Sequence, residues 1–197
     1  MKLYGTITSP FVRRVRVVAD EVGCATEMVD TAKDEGMAAL RAVSPIRKVP
    51  VAVVDGRTLF DSNVIAEWLL GTHGYGTLAP PVDRWREKNL VNAADSAIDS
   101  AIQLFYLRRD GVPAEGSAFE KRQMERVDAI FEWLSGELAD GKSFEGSGRF
   151  SLAELSVICA LDWMDFRKAY PTERAPKLLA LRAAWADRPS IAGTRPQ

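Results

Sequence analysis

Two side chains that often build reactive centres are scarce in this 197-residue sequence, which holds two cysteines and one histidine. Cys24 and Cys159 lie far apart in the chain, so a disulfide framework is not expected, and a reducing, cytoplasmic setting fits better. With His73 alone and no paired ligand motif, no metal site is expected. Long apolar runs are also missing. None approaches the roughly 20 residues that span a bilayer, and Met1-Lys2-Leu3-Tyr4-Gly5 enters a strand-like pattern at once, so no membrane association is expected. There is no excess of one charge. With 26 basic and 27 acidic side chains the formal net charge is -1, so a nucleic-acid partner is not expected either. What is plentiful is apolar material, 47% of the residues, enough for a sizeable core.

The first 75 residues alternate between two periodicities. A strand is expected over 2–5 and a loop over 6–10. A helix follows, with Ser9 as N-cap, Pro10 at its first position, Val12, Val15, Ala19 and Val22 on one stripe, and Gly23 at its end. A second strand is expected over 27–30, a shorter helix over 35–43, and a loop over 44–48 leading to Val49-Pro50. Residues 51–54 and 57–60 flank Asp55-Gly56, the preferred link of a type I′ hairpin. Asp61 or Ser62 then caps a helix through residue 70. The order βαβαββα implies a parallel core with an antiparallel edge. Residues 71–81 are rich in Gly, Thr and Pro and mark a boundary. Beyond it only helices are expected, over 83–109, 118–139, 151–168 and 176–187. Ser151 and Glu154 supply a capping box there, with Phe150 and Leu155 as a hydrophobic staple. The expected organisation is an α/β thioredoxin-like domain over 1–75, a linker over 76–82 and an all-α helical bundle over 83–197.

Three short features can carry chemistry. Ser9 stands between a strand and a helix N-terminus, where unpaired N–H groups and a partial charge of roughly +0.5 favour an anion. A hydroxyl there can donate to a thiolate and lower its pKa, and Arg13, Arg14 and Arg16 add positive charge. The same residues also suit a plain cap with a solvated basic face. Val49-Pro50 opens a strand. A cis bond there would turn the Val49 N–H and C=O outward for a peptide ligand, while an ordinary trans proline would not. Asp61-Ser62 precedes a helix and can hold an ammonium and a carboxylate, or simply cap. In a βαβαββα sheet all three converge on one crevice.

The segment Ser9-Pro-Phe-Val-Arg-Arg-Val-Arg16 resembles the first-helix motif of cytosolic glutathione transferases. Ser44-Pro-Ile-Arg-Lys-Val-Pro50 resembles their Asn-Pro-x-Gly-Lys-Val-Pro segment, Leu59-Phe-Asp-Ser-Asn-Val-Ile65 their Glu-Ser-x-x-Ile segment, and Phe150-Ser-Leu-Ala-Glu-Leu155 the capping box of their second domain. The likeness implies a serine-type transferase in which Ser9 activates the glutathione thiol, with Thr8 and Thr6 as rivals. It implies that Phe11, Val49, Pro50, Asp61 and Ser62 line the glutathione site and that Lys48 and Lys33 meet its glycyl carboxylate. It further implies glutathione as co-substrate, a small hydrophobic electrophile, a homodimer and a detoxification role. A glutathione-dependent isomerase and a non-catalytic regulator of the same fold are the alternatives. A disulfide reductase is disfavoured because Cys-x-x-Cys is absent. The chain departs from the pattern in Arg47 for glycine, Asp61 for glutamate and Glu154 for aspartate. Tyr4, Cys159, Trp85, Trp133, Trp163 and Trp185 are expected to be packing residues, Cys24 to be structural, and His73 to have no catalytic role.

Overall fold

The computed structural model describes residues 1–146 and 148–197. These form two compact units, one of residues 1–78 with 187–197, the other of residues 79–186.

The first unit is built on a four-stranded sheet ordered β2-β1-β3-β4, with β1 Lys2–Gly5, β2 Glu27–Asp30, β3 Val51–Val54 and β4 Arg57–Phe60. β1 and β2 are parallel, with Gly5 opposite Asp30. β3 runs antiparallel to both β1 and β4, with Val51 opposite Tyr4 on one side and Phe60 on the other. Asp55 and Gly56 both have positive φ, 48° and 74°, as the expected type I′ turn requires. Successive strand residues face opposite ways. Tyr4 and Val51 pack with Leu40 of α2 (Asp34–Val43) on one face. Leu3 and Ala52, also buried, point to the other. The remaining helices of this unit are α1 (Pro10–Glu21) and α3 (Ser62–His73), which pack against each other, and the short α8 (Pro189–Ala192), which contacts α1. Val12, Val15, Ile65 and Leu69 are fully buried there, each such side chain stabilising the fold by about 1.5–3 kcal/mol. Gly5 fixes how near α1 can approach β1, because a Cβ on it would lie 2.3 Å from Val12 Cγ2.

The second unit contains α4 (Arg84–Arg109), α5 (Ala118–Gly136), α6 (Leu152–Arg167), a 3-10 turn at Thr172–Arg174 and α7 (Pro176–Ala184), with no strand among the described residues. α4 packs on both α5 and α6. The capping box at Ser151 and Glu154 is present.

Three outcomes differ from expectation. α5 ends at Gly136 and α7 at Ala184, each about three residues early, and residues 189–192 form a helix beyond Pro189, where proline suits the first position. Trp85 and Trp133 are not packing residues, being 72% and 45% exposed, whereas Trp163 is buried as expected. Arg13 and Arg14 are not a solvated face. They are 2% and 1% exposed, because Val17 and Val18 widen the apolar surface of α1 and draw in the rows that the two arginines share.

Candidate active site

The sheet register brings the sequence candidates to one end of the first unit. Gly5 of β1 and Asp30 of β2 are paired last residues, and Tyr4, Val51 and Phe60 lie side by side across β1, β3 and β4. The segments 6–9, 31–33, 44–50 and 61 therefore all leave the sheet at that end, carrying Ser9, Lys33, Lys48-Val49-Pro50 and Asp61-Ser62.

Ser9 is half-buried and extended, with φ -76° and ψ 128°, and its side chain accepts from Val12 N–H at 3.3 Å. Its hydroxyl proton has no acceptor among the described residues. One lone pair thus caps the helix while the O–H stays available to an anion, at the positive end of the α1 dipole. The rivals Thr6 and Thr8 face each other, their hydroxyl oxygens 3.4 Å apart. Phe11 follows Pro10 in the first turn, half-buried, with the Arg14 guanidinium 5.7 Å from its ring centre.

Val49 is half-buried and precedes a cis peptide bond to the buried Pro50. Its N–H and C=O find no hydrogen-bond partner among the described residues. An edge of this kind can pair with an extended peptide. Arg47, which departs from the glycine of the resembled pattern, adopts φ 57°, the left-handed region that glycine favours.

Asp61 is held at φ 78°, a strained setting for a residue with a Cβ. Its Oδ1 caps α3 by accepting from Asn63 N–H at 2.8 Å. Ser62 is the first helical residue and 2% exposed, and its Oγ accepts from Arg14 Nη1 at 3.0 Å. The Ser62 N–H is unpaired among the described residues, as expected of a helix first turn, and suits a carboxylate. Lys33, the N-cap residue of α2, and Lys48 are exposed and have no ion-pair partner among the described residues.

The chain matches the family model "Glutathione S-transferase, N-terminal domain" over residues 3–80 and "Glutathione S-transferase, C-terminal domain" over residues 114–188. The chain belongs to the glutathione S-transferase family. It is 29% identical to the uncharacterized GST-like protein YibF of Escherichia coli K12, over 100% of this chain and 98% of that one. It resembles a glutathione S-transferase from Methylobacillus flagellatus solved with GSH bound, at 30% identity, TM-score 0.81, covering 100% and 99% of the two chains. A family member from Pseudomonas fluorescens Pf-5, solved with S-(propanoic acid)-glutathione, is 27% identical with TM-score 0.82 and full coverage of both.

The use of Arg14 in this family member was not read from the sequence. The signal was present, since Arg14 shares a helical row with Pro10 and Val18, both buried. Nothing in the sequence pointed to the partners of Arg13, which lie beyond residue 190. Among the described residues, no group of three or more His, Cys, Asp or Glu is placed to hold a metal ion, and no helix is long and apolar enough to cross a membrane.

Proposed function

We propose that this protein is a glutathione transferase that binds glutathione along the open end of its four-stranded sheet. The Val49 backbone pairs with the cysteinyl part of the tripeptide. Asp61 takes the γ-glutamyl ammonium, and the Ser62 N–H and hydroxyl take its carboxylate. Lys48 and Lys33 attract the glycyl carboxylate. Ser9 donates a hydrogen bond from its free hydroxyl to the sulfur, which stabilises the thiolate and lowers the thiol pKa. The thiol proton goes to solvent. The thiolate then forms a carbon–sulfur bond with a small hydrophobic electrophile, and the leaving group departs with the bonding electron pair. Holding the two reactants together and stabilising the nucleophile supply the rate. Serine at position 9 makes no mixed disulfide, which sets this chemistry apart from thiol–disulfide exchange. We extend the proposal to a cytoplasmic homodimer that acts on reactive, toxic electrophiles.

The observation that carries this reading is the unengaged Ser9 hydroxyl proton at the α1 N-terminus, at the same sheet end as the unpaired backbone groups of Val49 and Ser62. Calorimetry with glutathione tests it. The native protein is expected to bind, Asp61→Ala to weaken binding, and Ser9→Ala to keep binding but raise the pKa of the bound thiol. No binding at millimolar glutathione would overturn the site.

A further inference from the structure

α1 carries its charges the wrong way round. A helix is favoured by acids in its first turn and bases in its last, yet α1 has neither. Arg13, Arg14 and Arg16 follow its N-terminus, and Asp20 and Glu21 close it. The helix that presents Ser9 therefore opposes its own dipole at both ends, and something outside it must supply compensation.

Residues 187–197 do so. At the near end, the buried Arg13 donates from Nε to Thr194 Oγ1 at 3.2 Å and from Nη2 to the Ile191 carbonyl at 3.1 Å. Thr194 is itself fixed, its hydroxyl donating to the Ser190 carbonyl at 2.7 Å. At the far end, Arg188 grips the Glu21 carboxylate with Nε and Nη2, each at 2.6 Å, and also donates to the Thr77 carbonyl at 2.8 Å. Ser190 and Thr77 donate their hydroxyls to the same carboxylate. Burial raises the Glu21 carboxyl, but the hydrogen bonds from Arg188, Ser190 and Thr77 outweigh it and hold its pKa below the ordinary value. One short segment thus pins α1 at its first turn and at its last residue.

We propose that residues 188–194 are a positioning brace for the glutathione site, with Arg13 and Thr194 as positioning residues that fix the first turn of α1 and so the Ser9 hydroxyl. The inference rests on the proposed glutathione site, since the brace acts on the thiol only through Ser9. Ser9 needs such support. Its hold on Val12 N–H is long at 3.3 Å, and Arg13 N–H bonds the Ser9 carbonyl at 3.0 Å. A shift at Arg13 therefore moves Ser9 directly. Brace residues contact the ligand nowhere in this scheme, so their substitution changes how Ser9 is held and leaves every ligand-binding group in place.

The test is Thr194→Val, which keeps shape and removes the hydroxyl that Arg13 and Ser190 share, measured beside the native protein for glutathione affinity and for the pKa of the bound thiol. Expected are a raised pKa of the bound thiol, binding retained as in Ser9→Ala, and intact helical circular dichroism. In a Ser9→Ala background the same change should leave the thiol pKa where Ser9→Ala alone puts it, because the two residues act in series. Should Thr194→Val fail to fold, Ser190→Ala, which removes one hydroxyl from the Glu21 cluster, gives the same readout from the far end. A folded variant with a native thiol pKa would overturn the brace. A native protein that does not bind glutathione would overturn the parent reading instead, a result visible before any variant is made.

Discussion

Arg14 reaches from α1 to the first turn of α3, where its Nη1 donates to Ser62 Oγ and to Asn63 Oδ1, both at 3.0 Å. Arg14 is 1% exposed and lies at the first turn of α3, where the Ser62 N–H is unpaired among the described residues. A buried cation and a helix N-terminus acting together make this a strong place for a carboxylate. Arg14→Lys keeps the charge and loses the planar guanidinium whose Nη1 reaches both acceptors. It is expected to weaken glutathione binding by about tenfold and to cost roughly 1–3 kcal/mol of stability. Titration calorimetry and urea unfolding measure the two. Native affinity in a folded Arg14→Lys variant would show that the carboxylate binds elsewhere.

Serine at position 9 separates two chemistries, and Ser9→Cys should exchange one for the other. A thiol placed at the α1 N-terminus feels the helix dipole and the unpaired N–H groups, so it should titrate about one unit or more below the ordinary 8.5. The thiolate would attack oxidised glutathione, forming a mixed disulfide with one glutathionyl half and releasing the other as thiolate. Mass spectrometry reads that adduct directly. A variant thiol that titrates at the ordinary value and forms no adduct would show that the first turn of α1 does not stabilise anions.

Glu154 tests the second unit. It is 1% exposed and accepts from Phe144 N–H at 2.7 Å, from Ser151 N–H at 2.8 Å and from the Ser151 hydroxyl. One carboxylate therefore closes the capping box and ties down the segment before it. Glu154→Ala leaves buried donors unsatisfied and is expected to cost about 3–5 kcal/mol. Glu154→Asp, one methylene shorter, cannot span both N–H groups and should cost about half as much. Denaturant midpoints compare the three. A loss under 1 kcal/mol for the alanine variant would mean that water takes over the freed donors.

How much of this was legible beforehand depended on whether the signal was local. The hairpin turned on Asp55-Gly56, the α1 start on Ser9-Pro10 and the α6 start on Ser151 and Glu154, because caps and turns are written in consecutive residues. The shared end of the site segments followed from the alternation of strand and helix, but the strand order β2-β1-β3-β4, with β3 antiparallel to β1, did not, because pairing between distant strands leaves no local mark. Tertiary uses of charge left no such mark. Arg13 reads as a surface residue until Thr194 and Ile191 are placed beside it, and Arg188 meets Glu21 across most of the chain. Trp85 and Trp133 misled for the converse reason. Aromatic content argues for burial, but only the packing of α4 and α5 decides which side of each helix is covered.

Acid should unfasten the segment that includes Arg188. The folded Glu21 carboxyl titrates below its ordinary 4.5, so its contribution is fully present above that value and lost as pH falls through the folded pKa. Protection of residues 188–194 against hydrogen exchange, taken relative to the intrinsic rate at each pH, should therefore fall as pH drops below 4.5. Glu21→Gln should show the lower protection already at neutral pH, with little further change in acid. Protection that stays constant through this range in the native protein would show that the ion pair does not hold the segment.

Glu87 should produce the opposite pH dependence. It lies in the first turn of α4 and is 8% exposed, and its Oε1 has no hydrogen-bond partner among the described residues. Burial, reinforced by the Glu145 and Glu154 carboxylates, pushes its pKa up to about 7 against hydrogen bonds from Ser151 and Leu152 that pull it down. The ordinary value is 4.5. The folded state therefore holds this proton more tightly than the unfolded chain. Stability is full below pH 4.5, falls as pH rises from there to about 7, and is level above, with a total loss on the order of 2–3 kcal/mol. Glu87→Gln mimics the protonated form at every pH. It should match the native protein at pH 4, exceed it by about 2 kcal/mol at pH 8, and flatten the profile between. The neutral side chain also removes one of three carboxylates from the neighbourhood of Ser151, so the gain should persist in high salt, where repulsion at exposed sites is screened and burial is not. Urea unfolding across that pH range decides the matter: a Glu87→Gln profile parallel to the native one would mean that the carboxylate reaches water and carries no penalty.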